Sequence, residues 1–217
     1  MADTPSPASP VRVWDPWVRL SHWTVAAGFF LAYFLTEDTL GIHVWLGYLV
    51  GSLILIRILW GFVGPAHARF SSFVPTPAAL KRYLRRLARG DEPRYLGHNP
   101  LGGVMVVALL AGLALTVGTG LMLYGAEDQR GPLGGLYAQE AVMPSPVSSA
   151  RADLEEDFEA GETHSGGEEG ALEEWHEAAA NLTLLLVGLH VLGVFFTGWR
   201  QGENLPRAMV TGRKRPL

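Results

Sequence analysis

The sequence predicts an all-α integral membrane protein, a bundle of four helices that each cross the bilayer once. Three observations carry this. Of 217 residues, 48% are hydrophobic and only 18% charged, and the mean hydropathy is positive, an apolar balance for a soluble globule. Four segments approach the roughly 20 apolar residues that a helix needs to cross the hydrocarbon. The 26 glycines suit a bundle in which small residues let helices approach closely. The absence of cysteine excludes disulfides, thiolate-bound zinc, iron–sulfur clusters and attachment of a prosthetic group through C-x-x-C-H.

The expected spans are 18–36, 42–63, 101–123 and 176–199, within a single domain over 1–217. The first has no charge from Leu20 to Thr36, and Val18 extends it past Arg19. It is the shortest, which tilt or local thinning absorbs. A cleaved signal peptide is the rival reading, but the start lacks a basic stretch and no small-residue cleavage site follows the apolar run. The second span is apolar except for His43 and Arg57, the third carries no charge, and the fourth is interrupted by Asn181, Thr183 and His190.

Orientation follows from the loops. The connection 64–100 holds Arg69, Lys81, Arg82, Arg85, Arg86, Arg89 and Arg94 against Asp91 and Glu92. The tail holds Arg200, Arg207, Arg213, Lys214 and Arg215 against Glu203. The connection 125–173 holds twelve acidic residues against Arg130 and Arg151. Both termini and the basic loop are thus expected in the cytoplasm, and the acidic loop outside. Within the basic loop, Pro75–Arg89 sets Leu80, Tyr83, Leu84 and Leu87 on one face among cations, the pattern of an interfacial amphipathic helix, with a solvated loop helix as the plainer alternative. Residues 139–172, rich in Glu, Gly, Ser and Pro, read as a weakly structured loop.

Ionisable residues inside a membrane are costly, so each is a functional candidate. Four of the seven histidines lie in or at the spans. His176 and His190 are fourteen residues apart, about 21 Å along a helix and within about 40° of the same face. One stripe of the fourth span therefore offers an imidazole near each membrane surface. His22 lies at the depth of His190 and His43 at the depth of His176. Two bis-imidazole sites stacked across the bilayer are what two non-covalent haems b require, and filling both axial positions suits electron transfer rather than oxygen chemistry. Zinc would need three or four ligands at one point, not two layers. Small residues beside the ligands, Gly47, Gly193, Ala179 and Ala180, leave bare helix surface for a flat macrocycle, or else serve helix packing. Arg57, fourteen residues after His43, is placed for a propionate of the inner haem, or else snorkels to the head groups; Arg19, three before His22, is a weaker candidate for the same role.

These residues carry a family resemblance. RLSHW (19–23), IHVWLGY (42–48), RILWGFVGPAHARF (57–70), GHNPLGG (97–103), WHEAAANLTLLLVGLHVLGV (175–194) and ENLPRAMVTGRKR (203–215) resemble the bacterial four-helix cytochrome b561 proteins, relatives of the cytochrome b subunits of nickel–iron hydrogenases. The likeness covers all four spans, the basic loop and the tail, but not the acidic loop. It implies haem ligation at His22, His43, His176 and His190, a bacterial inner-membrane location, and electron exchange between membrane quinone and a redox partner such as a periplasmic c-type cytochrome or a hydrogenase. His98 also recurs in that family, beside a quinone or simply completing a turn; His67 reads as structural, and His164 has no argued role.

Two functions are then weighed. One is an electron-transfer subunit joining quinone to an outer partner. The other is a self-contained, quinone-linked oxidoreductase that takes electrons from a small donor such as superoxide. A transporter with structural histidines does not explain the two layers. The acidic loop, net −10, repels an anion and attracts a basic protein, unless it is only a solvated insert. Lipid and quinone are the expected small partners, and no nucleic acid is. The sequence leaves open a homodimer, the quinone type and the direction of electron flow.

Overall fold

The structure, a computed structural model, describes residues 10–35, 40–140 and 165–216. Its elements in order are β1 (Val11–Arg12), α1 (Pro16–Phe34), α2 (Leu40–Val63), α3 (Phe70–Phe73), α4 (Pro77–Arg89), α5 (Pro100–Asp128), α6 (Gly134–Glu140), α7 (Ser165–Gln201), α8 (Leu205–Thr211) and β2 (Arg213–Lys214). The chain divides into two compact units, Met1–Ala114 with Thr183–Leu217, and Leu115–Leu182.

Three helices are long and apolar enough to cross a membrane, Leu40–Val63, Pro100–Glu127 and Gly170–Gln201. Only 17%, 17% and 11% of their most apolar stretches are buried inside the protein. Leu59, Phe62 and Val63 on α2, and Leu192, Phe195 and Trp199 on α7, turn more than half of their surface outward. A water-soluble helix would bury such residues; these fit a solvent of acyl chains. α1, of 19 residues, is of about bilayer length but carries Arg19 and His22.

Local chemistry sets the helix ends. Asp15 caps α1, accepting from the Val18 N–H at 3.0 Å, with Pro16 at the first helical position. Thr76 and Pro77 do the same for α4, which ends at Gly90 in the left-handed region (φ 78°). Asn99 caps α5 by accepting from the Gly102 N–H at 2.7 Å. The expected helix in the basic loop forms: Tyr83 is buried, its ring 6.0 Å from that of Tyr95, Leu80 and Leu87 are half-buried, and Leu84 is exposed along with Lys81, Arg82, Arg85 and Arg89.

The acidic connection departs from expectation. Residues 139–140 and 165–172, read as weakly structured loop, are helical, and α7 begins at Ser165 rather than at 176. GALEEW (170–175) is dominated by good helix formers, and carboxylates near a helix N-terminus are favoured by its dipole. Residues 141–164 lie outside the described residues, as do Thr36 and His164.

In the first unit, glycines permit close helix approach. A Cβ on Gly28 of α1 would lie 2.9 Å from a Val50 methyl on α2, and one on Gly112 of α5 would lie 2.9 Å from the hydroxyl of the fully buried Thr183 on α7. A Cβ on Gly103 would strike the Phe73 carbonyl at 2.2 Å, and one on Gly61 the ring of Phe70, so α3 is seated on α2 and α5.

The tail is clasped to the chain ahead of α1. β1 and β2 pair antiparallel, Val11 opposite Lys214 and Arg12 opposite Arg213. Arg19 donates to the Val210 carbonyl at the end of α8. The nearly buried Glu203 faces Lys214 at 3.4 Å and Arg94 at 3.6 Å, Lys214 also donates to the Tyr95 carbonyl, and Arg200 grips Glu92 with two bonds of 3.0 and 2.8 Å. Burial pushes the Lys214 amine below its usual range, opposed by Glu203, and the Arg200 bonds hold the Glu92 carboxyl low. Removing one partner of a buried ion pair strands the other. Glu203→Gln should therefore cost about 3 kcal/mol, read as a lower melting temperature in detergent and faster proteolysis after residue 203. Unchanged melting would show the clasp to be dispensable.

His98 packs between Trp14 and Phe73, with ring centres 4.7 Å from each, and its buried Nδ1 has no partner among the described residues. It does not complete the turn, which Asn99 does instead. Burial first, then the charges of Arg57 and Lys214, push its pKa down from 6.5 to about 3. The folded protein thus keeps the ring neutral while the unfolded chain protonates it. The stability tied to it is whole above about pH 6.5 and falls by about 1.4 kcal/mol per unit as the pH drops below that. Thermal stability should decline between pH 7 and pH 5, and less steeply in His98→Gln; parallel slopes would mean that the ring charges freely in the fold.

Candidate functional site

His22 sits on α1 seven residues past its Asp15 cap, and His190 lies eleven residues before the end of α7. Both belong to the first unit, and their ring centres are 6.3 Å apart with planes inclined at 58°. Two imidazoles ligating one metal from opposite sides, with bonds of about 2.0 Å and about 1.1 Å from nitrogen to ring centre, stand about 6.2 Å apart. The observed separation fits a bis-histidine haem iron. The buried Nδ1 of His22 has no hydrogen-bond partner among the described residues, and Trp23 meets the ring edge-on at 5.1 Å.

His43 and His176 belong to different units, and each is held within its own. His43 Nδ1 lies 2.9 Å from the carbonyl of Ala32. That carbonyl is in the last turn of α1, where the final four have no partner within the helix. A neutral imidazole donating from Nδ1 to it carries its second lone pair on Nε2, the tautomer that suits metal ligation. His176 repeats the arrangement on other elements: Nδ1 is 3.0 Å from the Thr116 carbonyl and 3.2 Å from the Thr119 hydroxyl, both on α5. The Thr116 carbonyl is also the helical acceptor of Gly120, whose missing side chain lets the ring in: a Cβ there would lie 2.8 Å from His176 Cε1.

Arg57 does not snorkel. Its Nη2 donates to the Ala68 carbonyl at 3.3 Å, its guanidinium lies 5.7 Å from the Phe70 ring centre, and its buried Nη1 has no partner among the described residues. An inward-held cation with a spare donor suits a carboxylate such as a haem propionate. Arg19 is engaged with the tail at Val210, and its buried Nε has no partner among the described residues. His67 lies in the turn after α2 and packs under Gly97.

The small residues separate into two kinds. Gly47 and Gly193 would meet nothing within 4 Å on gaining a Cβ, so neither serves helix packing, unlike Gly28 and Gly112. Bare surface four residues after His43 and three after His190 is what a flat ring lying against a helix needs. Ala179 is buried. Among the described residues no three His, Cys, Asp or Glu side chains converge on a point, so no closed zinc site competes there.

Sequence reasoning missed the groups that orient His43 and His176: Ala32, Thr116, Thr119 and Gly120. Two are backbone carbonyls and carry no sequence signature. Gly120, four residues after Thr116, was the visible trace, and only in retrospect.

Comparison with known proteins agrees with this chemistry. A family model for prokaryotic cytochrome b561 matches residues 13–212. A probable Ni/Fe-hydrogenase B-type cytochrome subunit of Rhizobium leguminosarum bv. viciae is 32% identical over 115 residues, covering 43% of this chain and 47% of that protein. The chain thus spans about half the length of that curated relative. No solved structure matches. With a family match running from just after β1 to just past α8 over a helical membrane fold, the chain belongs to the prokaryotic cytochrome b561 family.

Proposed function

We propose that this membrane haem b electron-transfer protein carries two haems b, ligated by His22 with His190 and by His43 with His176, and passes electrons between membrane quinone and a redox protein on the outer face. The observation that carries the reading is the 6.3 Å between the His22 and His190 rings, the width of a linear nitrogen–iron–nitrogen unit. When bound, haem b supplies reversible one-electron chemistry. The chain's own residues do the rest. His22, His190, His43 and His176 would hold the iron, Arg57 would offer a propionate its Nη1, and the apolar helices would exclude water.

Four crossings are supported by the clasp between the ends. β1 precedes α1 and β2 follows α7, so their pairing needs an even number of crossings. With the three long apolar helices, α1 is the fourth. The basic residues of 64–100 and of the tail then favour the cytoplasm of a bacterial inner membrane.

The acidic connection favours a basic redox protein, such as a c-type cytochrome, over an anionic small donor such as superoxide. The hydrogenase-type relative favours a second form of the same reading, a cytochrome b subunit docked on a larger complex.

A pyridine haemochrome assay should give about two haems b per chain. His43→Ala or His176→Ala should remove one redox component, and His22→Ala or His190→Ala the other. One haem per chain, high-spin iron, or sorting of His22 with His43 would overturn the pairing.

Neutralising Glu155, Glu156, Asp157 and Glu159 should slow electron exchange with a basic cytochrome and flatten its salt dependence, since exposed charges act mainly on association and are screened within about 8–10 Å. A rate indifferent to both salt and these charges would sink protein docking and return the small-donor alternative.

A further inference from the structure

The basic helix α4 is held at both ends to long apolar helices of its own unit. Ahead of it, α3 is seated on α2 and α5: a Cβ on Gly61 would strike the Phe70 ring, and one on Gly103 the Phe73 carbonyl. Behind it, Gly90 lies against Arg200, whose guanidinium would be 3.3 Å from a Cβ there and which pairs with Glu92 at 2.8 Å. Both attachments fall where an apolar surface stops. Phe62 and Val63 end the exposed apolar face of α2, and Trp199, 79% exposed, is the residue before Arg200 on α7. The 13 residues of α4, about 20 Å, therefore run along the boundary between acyl chains and water.

The surface that α4 turns outward has two strips. At about 100° per residue, Lys81, Arg82, Arg85, Arg86 and Arg89 share an arc of about 140°, and the exposed Leu84 and Ala88 form an apolar strip along its Lys81 edge. The opposite face is already used, with Tyr83 buried against Tyr95. Of the five cations only Arg86 has an ion pair among the described residues, with Asp91 at 3.7 Å. Like charges three and four residues apart repel unless something anionic lies across them. An apolar strip beside a cationic arc is how a helix lies in a layer of lipid head groups.

We infer that α4 is a docking surface for anionic phospholipid, with Lys81, Arg82, Arg85 and Arg89 holding phosphate head groups while Leu84 dips toward the first acyl carbons. The occupant follows from charge and level. A leaflet already lies at that boundary, and its acidic lipids supply the countercharge that the chain itself does not. An acidic protein would satisfy the cations only by displacing the lipid at that level. The inference does not depend on which prosthetic groups the chain carries.

The chain has no cysteine, so Leu84→Cys offers a unique site for a fluorescent label. The full-length labelled protein is reconstituted in phosphatidylcholine vesicles containing increasing shares of phosphatidylglycerol, and the label's access to acrylamide, an uncharged quencher, is measured. Access should fall as phosphatidylglycerol is added, and added salt should restore it. Arg85→Gln should raise the share needed for half-maximal shielding roughly fivefold, the worth of one cation at an acidic leaflet. Neutralising Lys81, Arg82, Arg85 and Arg89 together to Gln should abolish the shielding. Equal access with and without phosphatidylglycerol overturns the inference, and that comparison needs no charge variant to fold. Shielding that survives the loss of all four cations overturns it as well. A label open to quencher at every phosphatidylglycerol share, yet shielded in native membrane vesicles, would overturn it and give the face to an acidic protein.

Discussion

An imidazole inside a bilayer has two nitrogens to satisfy and almost no water to satisfy them with, and this constraint organises the molecule. Each ring must pass one nitrogen to a neighbour and the other to a ligand, or carry an unmet polar atom at a cost of about 1–3 kcal/mol. α1 meets the demand of His43 with a carbonyl that its own end has left over, and α5 meets that of His176 with a carbonyl bared by Gly120. His22 and His190 face one another with ring centres 6.3 Å apart. Orphaned polar atoms at Arg57 and His98 gather in the same unit, so the polar demand is concentrated where ligands are proposed.

Glycine serves two opposed purposes in this chain, and geometry separates what composition merges. Gly28, Gly61, Gly103 and Gly112 sit where another side chain or carbonyl comes within 3 Å of an added Cβ; they bring elements together. Gly47 and Gly193 meet nothing, so their value cannot lie in packing within the chain. A count of 26 glycines suggests a close-packed bundle, yet the glycines beside the ligands leave surface uncovered.

How much was legible follows from where the information resides. Spans two, three and four are carried by long, mainly apolar runs, and α2, α5 and α7 contain them. The nearness of His22 and His190 was legible from their places at the same ends of the first and fourth spans, and their ring centres lie 6.3 Å apart. The inward hold on Arg57 was not: whether a guanidinium snorkels or turns in depends on Ala68 and Phe70, supplied by the turn after α2. Ala32 and Thr116 act through backbone carbonyls, which every residue has, so no pattern of side chains could single them out. The early start of α7 was misread because a run of Glu and Gly suggests disorder in isolation, whereas contiguity with a long apolar helix extends that helix by propagation at little cost.

The geometry of the His22/His190 pair is set at a distance from the rings. Nothing between two facing imidazoles fixes their spacing, so it must come from how α1 and α7 are anchored at their shared end. On α1 the anchor is the Asp15 cap and Arg19, whose guanidinium reaches the Val210 carbonyl. On α7 it is the turn in which the Glu203 N–H donates to the Gly198 carbonyl at 2.9 Å, too tight for a Cβ on Gly198. The β1–β2 pairing and the buried Glu203–Lys214 contact then join the two anchors. A slip of one residue along either helix would move a ligand by about 1.5 Å and rotate it by about 100°, which no bis-imidazole site tolerates. The basic tail, outside the apolar spans, therefore sets the register of the His22/His190 pair.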